Sequence, residues 1–436
     1  MKKLLLILMA AMIWTACADC PEGPTFVRGV SAPVTGLNGV WKIQTSPAGA
    51  FWEPGQPLDG WSDIQVPGEP MMQGFAVKHD RPFALRREFL VPYDFEGQTI
   101  KLRFEGVYSY ARVWVNGNYI RDHSGGFTAW EGDVTAAVKP GSTATVTVEV
   151  TDKADEISYA SGYAKHPIGG ILRDVHLTAS PPNHPEDVRL ITDLDDDYRN
   201  ARLTVKGRLT GVGPNSEIRL ELRDPRNKKV RLTHESLRVD AAVFELDNLV
   251  VEPEKWDAEH PNLYRLRVAL LEHGTISWFK DYPLGFREIE VEGNRFLVNG
   301  RQVKLRGACR HDIHPLLGRV STPDYELKDV LLAKEANINF IRTSHYPPTD
   351  RFLDLCDEYG LYVEDETAVC FVGSHRTAEY YPGASESAPE FTERYLSQLR
   401  EMVENHRNHP SVIIWSIGNE NAYGLNFKSS YDWVKA

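Results

Sequence analysis

Apolar and polar positions alternate along the first two thirds of the chain, and then the period changes. Ile100, Leu102 and Phe104 alternate with polar neighbours, as do Val146, Val148 and Val150. A period of two predicts strands with one buried face. Val113 and Val115 flank Trp114, and Asn116-Gly117 follows. That pair supplies the positive φ angles of a tight hairpin. Residues 26–180 therefore read as an all-β sandwich. Pro181-Pro182-Asn183 makes a stiff junction, and alternation resumes at Leu203, Val205, Ile218, Leu220, Leu222, Leu266 and Val268. Residues 181–286 suit an immunoglobulin-like sandwich, without the Cys…Trp…Cys pattern of antibody domains.

After Gly285 the pattern turns to strand–helix repeats. A hairpin at Asn299-Gly300 precedes a strand over Val303–Gly307. Thr322-Pro323 caps and opens a helix to Ala336, and Asn339–Arg342 is the next strand. A helix over Thr349–Tyr359 ends at Gly360, and Leu361–Glu364 is a third strand. Tyr395, Leu399, Met402 and Val403 form one stripe of a helix over Phe391–Asn405. Val412–Gly418 is a fourth strand, apolar enough to be buried on both faces. Four β/α units over residues 287–436 are half of an eight-stranded barrel.

Composition refines the picture in three ways. With 436 residues the chain needs two or three domains. A net charge of −12 and no basic run argue against a nucleic-acid partner. Lys2 and Lys3 ahead of the apolar run Leu4–Trp14 read as a signal peptide over residues 1–17. Thr15-Ala16-Cys17 resembles a lipoprotein cleavage box. Export to the periplasm of a Gram-negative bacterium, or an outer-membrane tether through a lipid on Cys17, is the expectation. Cys309, Cys356 and Cys370 lack metal-ligand spacing and read as buried free thiols.

Polar residues gather after each strand of the last region: Arg310, His311, Asp312 and His314; Arg342, Thr343, Ser344 and His345; Asp365 and Glu366; Asn419 and Glu420. Strand ends of a parallel barrel share one face. Carboxylates, amides, imidazoles and guanidinium groups converging there suit glycoside hydrolysis, in which one acid protonates the leaving oxygen. Singly, each has a plainer reading. Arg342 serves equally as an ion-pair partner, His311 and His345 as polar rim, Glu366 as a loop charge or helix cap. The spacing of His311 and His314 fits no standard metal motif.

The run Asn405-His406-Arg407-Asn408-His409-Pro410-Ser411-Val412 through Gly418-Asn419-Glu420 resembles the acid/base signature of glycoside hydrolase family 2, the β-galactosidase, β-glucuronidase and β-mannosidase family. Gly169-Gly170-Ile171-Leu172-Arg173-Asp174-Val175, Pro261-Asn262-Leu263-Tyr264, Gly285-Phe286-Arg287, Arg310–Pro315, Arg342–Pro347 and Cys356–Val363 extend the resemblance over most of the chain. It implies a sugar-binding-like jelly roll, an immunoglobulin-like domain and the first half of a TIM barrel. It implies that Glu420 is the general acid and then base of a retaining mechanism, and that Asn419 binds the sugar 2-hydroxyl. His311 and His345 would contact sugar hydroxyls, and Arg342 would orient the nucleophilic glutamate.

The chain departs from the family in three places. The Glu-x-His that holds magnesium in family galactosidases is Cys370-Phe371-Val372, so no metal or cofactor is carried over. The Asp near the sugar 6-hydroxyl gives way to Ala164-Lys165-His166-Pro167, whose cationic groups hint at an acidic sugar. The nucleophile of the family lies on a seventh strand, beyond Ala436. The expectation is a β-galactosidase-like exo-β-glycosidase, with a β-glucuronide or other uronide as the alternative substrate, inactive as this chain alone. A non-catalytic glycan-binding lipoprotein, and a fragment complemented by a second chain or working as a homo-oligomer, are the other readings.

Overall fold

The computed structural model describes residues 25–26, 32–154, 157, 166–370 and 385–436. Cys17, Cys20, Ala164, Lys165, Phe371 and Val372 lie outside the described residues. Among the described residues no helix is long and apolar enough to cross a membrane.

The first region is a β-sandwich. A six-stranded sheet runs, edge to edge, Ser62–Val66, Gly39–Gln44, Phe83–Leu90, Thr143–Thr151, Tyr110–Val115 and Asn118–Ser124. A five-stranded sheet faces it. The alternating residues do what their period requires: Ile100, Leu102, Phe104, Val113, Val115, Val146, Val148 and Val150 are all buried in one core with Trp41 and Phe83. The hairpin turns at Asn116 (φ 49°) and Gly117 (φ 79°).

Two further sheets, of three and five strands, form the immunoglobulin-like sandwich. Leu203 and Val205 of one pack with Ile218, Leu220, Leu222, Leu266 and Val268 of the other. A three-stranded ribbon over residues 289–302 leads into the last region.

The elements of that region are numbered β1 (Gly307–Arg310), α1 (Pro323–Glu335), β2 (Phe340–Thr343), α2 (Asp350–Tyr359), β3 (Tyr362–Glu366), α3 (Thr392–His406), β4 (Val412–Ser416) and α4 (Leu425–Lys435). The strands form one parallel sheet in the order β1-β2-β3-β4. Thr349 caps α2 by accepting from the Phe352 N–H at 3.1 Å, and Gly360 ends it at φ 76°. Thr322 precedes α1 without a side-chain cap bond. This is the start of a TIM barrel.

Several expectations need correction. The first strand starts at Gly307 rather than Val303, because pairing with β2 begins where Gly307 lets the Phe340 ring approach; a Cβ there would lie 2.4 Å from Phe340 Cδ1. The third strand continues through Asp365 and Glu366, so these are strand residues and not loop tips. Val412 is buried, but Ile413–Gly418 is only half-buried, since β4 is paired on one side alone. Cys309 is exposed for the same reason on β1, whereas Cys356 and Cys370 are buried and free. Helix α4 was not anticipated; its buried face is Asn426, Phe427 and Ser430, which carries no apolar stripe.

Long-range polar contacts fix the regions to one another. Arg173 of the first sandwich is buried and donates to the Pro347 and Pro348 carbonyls at 2.6 and 3.0 Å and to Asp312 at 3.2 Å. His123 lies 3.0 Å from Glu401 on α3. Arg287 donates to the Pro410 and Val412 carbonyls at 2.6 and 2.8 Å, joining the second sandwich to β4. Trp256 Nε1 donates to the Asp357 carbonyl at 2.9 Å.

Candidate active site

The carboxyl ends of β2, β3 and β4 bring together residues from three separate stretches of sequence. Arg342, on β2, donates through Nε (3.0 Å) and Nη2 (2.6 Å) to Glu366 Oε2 on β3. The same Nη2 donates to Asn419 Oδ1 beyond β4 at 2.8 Å. His345 Nδ1 lies 2.7 Å from the other Glu366 oxygen. Ser416 Oγ donates to Glu366 Oε2 at 2.7 Å, and the Glu366 N–H donates to Thr343 Oγ1 at 3.0 Å.

Glu366 is therefore the hub. It is fully buried, at 0% exposure. Burial opposes its charge, but donors from His345, Ser416 and Arg342 outweigh that cost and hold its carboxyl below the usual range. With Arg342 and Ser416 on Oε2 and His345 on Oε1, the carboxylate is held from both oxygens and acts as a brace. The sequence places Glu366 among the strand tips as a loop charge or helix cap, and the structure corrects this to a buried residue of β3. The available signal was Arg342 itself: a half-buried guanidinium on an inward-facing strand position needs a carboxylate within reach.

Asn419 is buried, with Nδ2 donating to Cys370 Sγ at 3.3 Å. Its Oδ1 is held by Arg342, so its orientation is set from both ends. Cys370 occupies the place of a magnesium ligand in the resembling family, and burial pushes its thiol up to about 12.

Glu420 is exposed, and its backbone takes φ 50° directly after Gly418 at φ 147° and Asn419. A positive φ at a glutamate is uncommon and costs of order 1 kcal/mol, and such residues cluster at functional sites. The two carboxylates thus differ sharply in burial, Glu366 at 0% exposure and Glu420 exposed.

His311 follows β1 and is half-buried. Its ring meets the His345 ring edge-on at 5.2 Å. Burial, then the nearby His345 and Arg319, lower its pKa to about 4. It is neutral at pH 7 and able both to donate and to accept.

The first sandwich closes one side of this end. Glu69 is 1% exposed and accepts from the Arg319 N–H. It also lies 3.3 Å from His166 Nε2. Gly318 (φ 70°) permits this approach, since a Cβ there would lie 2.4 Å from Glu69 Oε1. Arg319 donates to the Tyr346 hydroxyl at 3.2 Å, beside His311. Of the two cationic residues expected to suit an acidic sugar, His166 faces the buried Glu69 carboxylate, and Lys165 lies outside the described residues.

Comparison with known proteins gives three consecutive matches. Residues 51–181 match the family model described as glycosyl hydrolases family 2, sugar binding domain. Residues 183–287 match glycosyl hydrolases family 2, and residues 289–436 match its TIM barrel domain. A β-galactosidase of Vibrio vulnificus strain CMCP6 is 32% identical over 93% of this chain and 42% of its own length. A Bacteroides uniformis β-glucuronidase structure is 26% identical, with TM-score 0.76 over 88% of this chain and 46% of that one. A Ruminococcus gnavus β-glucuronidase structure shares the fold at 24% identity, with TM-score 0.81 over 95% of this chain and 71% of that one. The chain spans about 42% of the length of the curated relative it matches.

Proposed function

Because the chain belongs to glycoside hydrolase family 2, a family of O-glycosyl hydrolases, we propose that it is the sugar-binding and acid/base portion of a retaining exo-β-glycosidase that removes terminal β-linked sugars. The observation that carries this reading is the Arg342–Glu366–Asn419 network beside an open Glu420. Glu420 gives a proton to the leaving oxygen and later takes one from water. Asn419, oriented by Arg342, holds the sugar 2-hydroxyl. His345 and neutral His311 hold further hydroxyls.

Glu366 is braced by Arg342, His345 and Ser416, so it is not the attacking carboxylate. A retaining mechanism places that second carboxylate about 5 Å from the first. We assign it to the strands that complete an eight-stranded barrel, and the chain alone has no turnover. Arg342 Nη1, which meets Cys309 Sγ at 3.9 Å, is the edge that would steer it. The substrate is β-galactoside-like, the name the curated relatives carry, with a β-glucuronide as the alternative, the name the similar solved structures carry.

The test is kinetic. The described chain and a version extended to a full barrel are incubated with aryl β-galactoside and aryl β-glucuronide. The extended enzyme turns over the galactoside, and Glu420→Gln lowers kcat by about 10²–10⁴-fold. Turnover by the shorter chain that Glu420→Gln abolishes overturns the need for a second half. Preference for the glucuronide overturns the sugar assignment. Export is part of the proposal, supported by Lys2, Lys3 and the apolar run after them; fatty-acid labelling lost in Cys17→Ser tests the lipid.

A further inference from the structure

The outward face of the six-stranded sheet carries an unusual set of side chains. On Tyr110–Val115 the core takes Ala111, Val113 and Val115, so Tyr110, Arg112 and Trp114 point the other way. Across the hairpin, Trp114 pairs with Tyr119 and Arg112 with Asp122. On the other side Arg112 pairs with Glu149. A half-buried aromatic loop lies over the near end: Trp52 stacks on Trp114 at 5.1 Å and 13°, with Phe51 edge-on to both. Arg86 pins this loop by donating to the Phe51 and Glu53 carbonyls, and Pro54 packs against Gly117. Trp52 is half-buried, with Trp114 stacked on one of its faces. Tyr119 is 55% exposed.

The polar groups between the rings are held in place. Tyr110 and Tyr119 both donate to Asp122, at 3.0 and 3.2 Å. Arg112 Nε donates to Glu149 at 2.8 Å. Lys153 Nζ sits over the Tyr110 ring at 5.4 Å.

We propose that this strip, built on Trp52, Tyr119, Asp122 and Arg112, is an accessory binding surface for a neutral glycan chain, separate from the barrel site. Flat, rigid aromatic faces pack on the C–H faces of sugar rings and have little side-chain entropy to lose. The fixed carboxylate and guanidinium edges meet hydroxyls as acceptor and donor. The charges decide between occupants: Asp122 and Glu149 balance Arg112 and Lys153, which favours an uncharged polyhydroxyl ligand over a strongly charged one. The strip lies on the sheet edge formed by Asn118–Ser124, with a free side along which a long chain can run. It would hold polymer near the barrel while chain ends are trimmed, and it does not depend on the barrel being active.

The experiment uses the intact chain and needs no turnover. Binding of a β-1,4-galactan, a mixed-linkage β-glucan and a polyuronate is followed by calorimetry and tryptophan fluorescence. A neutral polymer binds with a fluorescence change, Tyr119→Ala weakens it about tenfold, and Trp52→Ala removes the fluorescence change. Arg342→Ala leaves this binding intact. Because Tyr119 is exposed, its alanine variant folds even where Trp52→Ala disturbs the loop. Three results overturn the proposal: no binding of either neutral polymer, binding lost in Arg342→Ala but kept in Tyr119→Ala, or a dimer in sedimentation that Tyr119→Ala dissolves. Preferential binding of the polyuronate overturns the neutral assignment.

Discussion

The first sandwich and the four-stranded barrel region solve opposite problems with the same element, a strand. In the sandwich two sheets cover each other, and one continuous core runs from Leu37 to Ala179. In the barrel region the apolar cluster is small, nine buried residues from Val330 to Val412, and it lies between sheet and helices. The other side of that sheet carries Arg342, Glu364 and Glu366 joined by ion pairs. The sandwich is held by area removed from water; the barrel face is held by charges that must satisfy one another. Closure favours stability, and an open polar face favours chemistry at the expense of cohesion.

Substitutions can break or sharpen this contrast. Phe104→Ala in the sandwich removes a fully buried ring stacked on Trp130 at 4.6 Å, and costs about 3–5 kcal/mol by denaturant unfolding. Arg342→Ala leaves Glu366 buried without its guanidinium. It costs about 2–3 kcal/mol, less than for a fully buried pair because the Arg342 side chain is 24% exposed. Glu366→Gln in the same background recovers part of that loss, which a purely packing role for Arg342 would not allow.

A third prediction concerns pH. His406 is buried between Asp365 (2.6 Å) and Asp350 (3.2 Å). Burial disfavours its charge, but the two carboxylates prevail and raise its pKa to about 9. A raised pKa means stability present in full below the unfolded value near 6.5 and lost as pH rises through about 9. Melting temperature plotted against pH should fall over that window in the parent chain and stay flatter in His406→Gln. The smallest effect belongs to the sandwich exterior: Tyr119→Ala changes stability by no more than about 0.5 kcal/mol, while glycan binding drops. A large destabilisation there would show that the strip is structural.

Much of the architecture was legible because periodicity is a local signal. Ile100, Leu102 and Phe104 announced a one-sided strand, Asn116-Gly117 a hairpin, and Thr349 and Gly360 the two ends of α2. The candidate site was legible in part. Arg342, Asn419 and His345 do converge, while His311 joins through its ring contact with His345. Glu366 was undervalued because a buried and an exposed glutamate look alike in sequence. Helix α4 was missed because a buried Asn426 gives no apolar stripe. Cys309 and the last strand looked buried because an apolar run carries no record of how many neighbours its strand will have.

The sequence by itself determined the three-part order, the strand and helix types, and which residues stand at strand ends, since these follow from spacing along one chain. Only the tertiary structure decided which carboxylate is locked and which is open, which face of the first sandwich became aromatic, and that Glu69 would reach Arg319 from 250 residues away. The physical reason is the same in each case. Protonation, burial and hydrogen-bond partnership belong to an environment, and the environment is assembled from segments that share no local pattern.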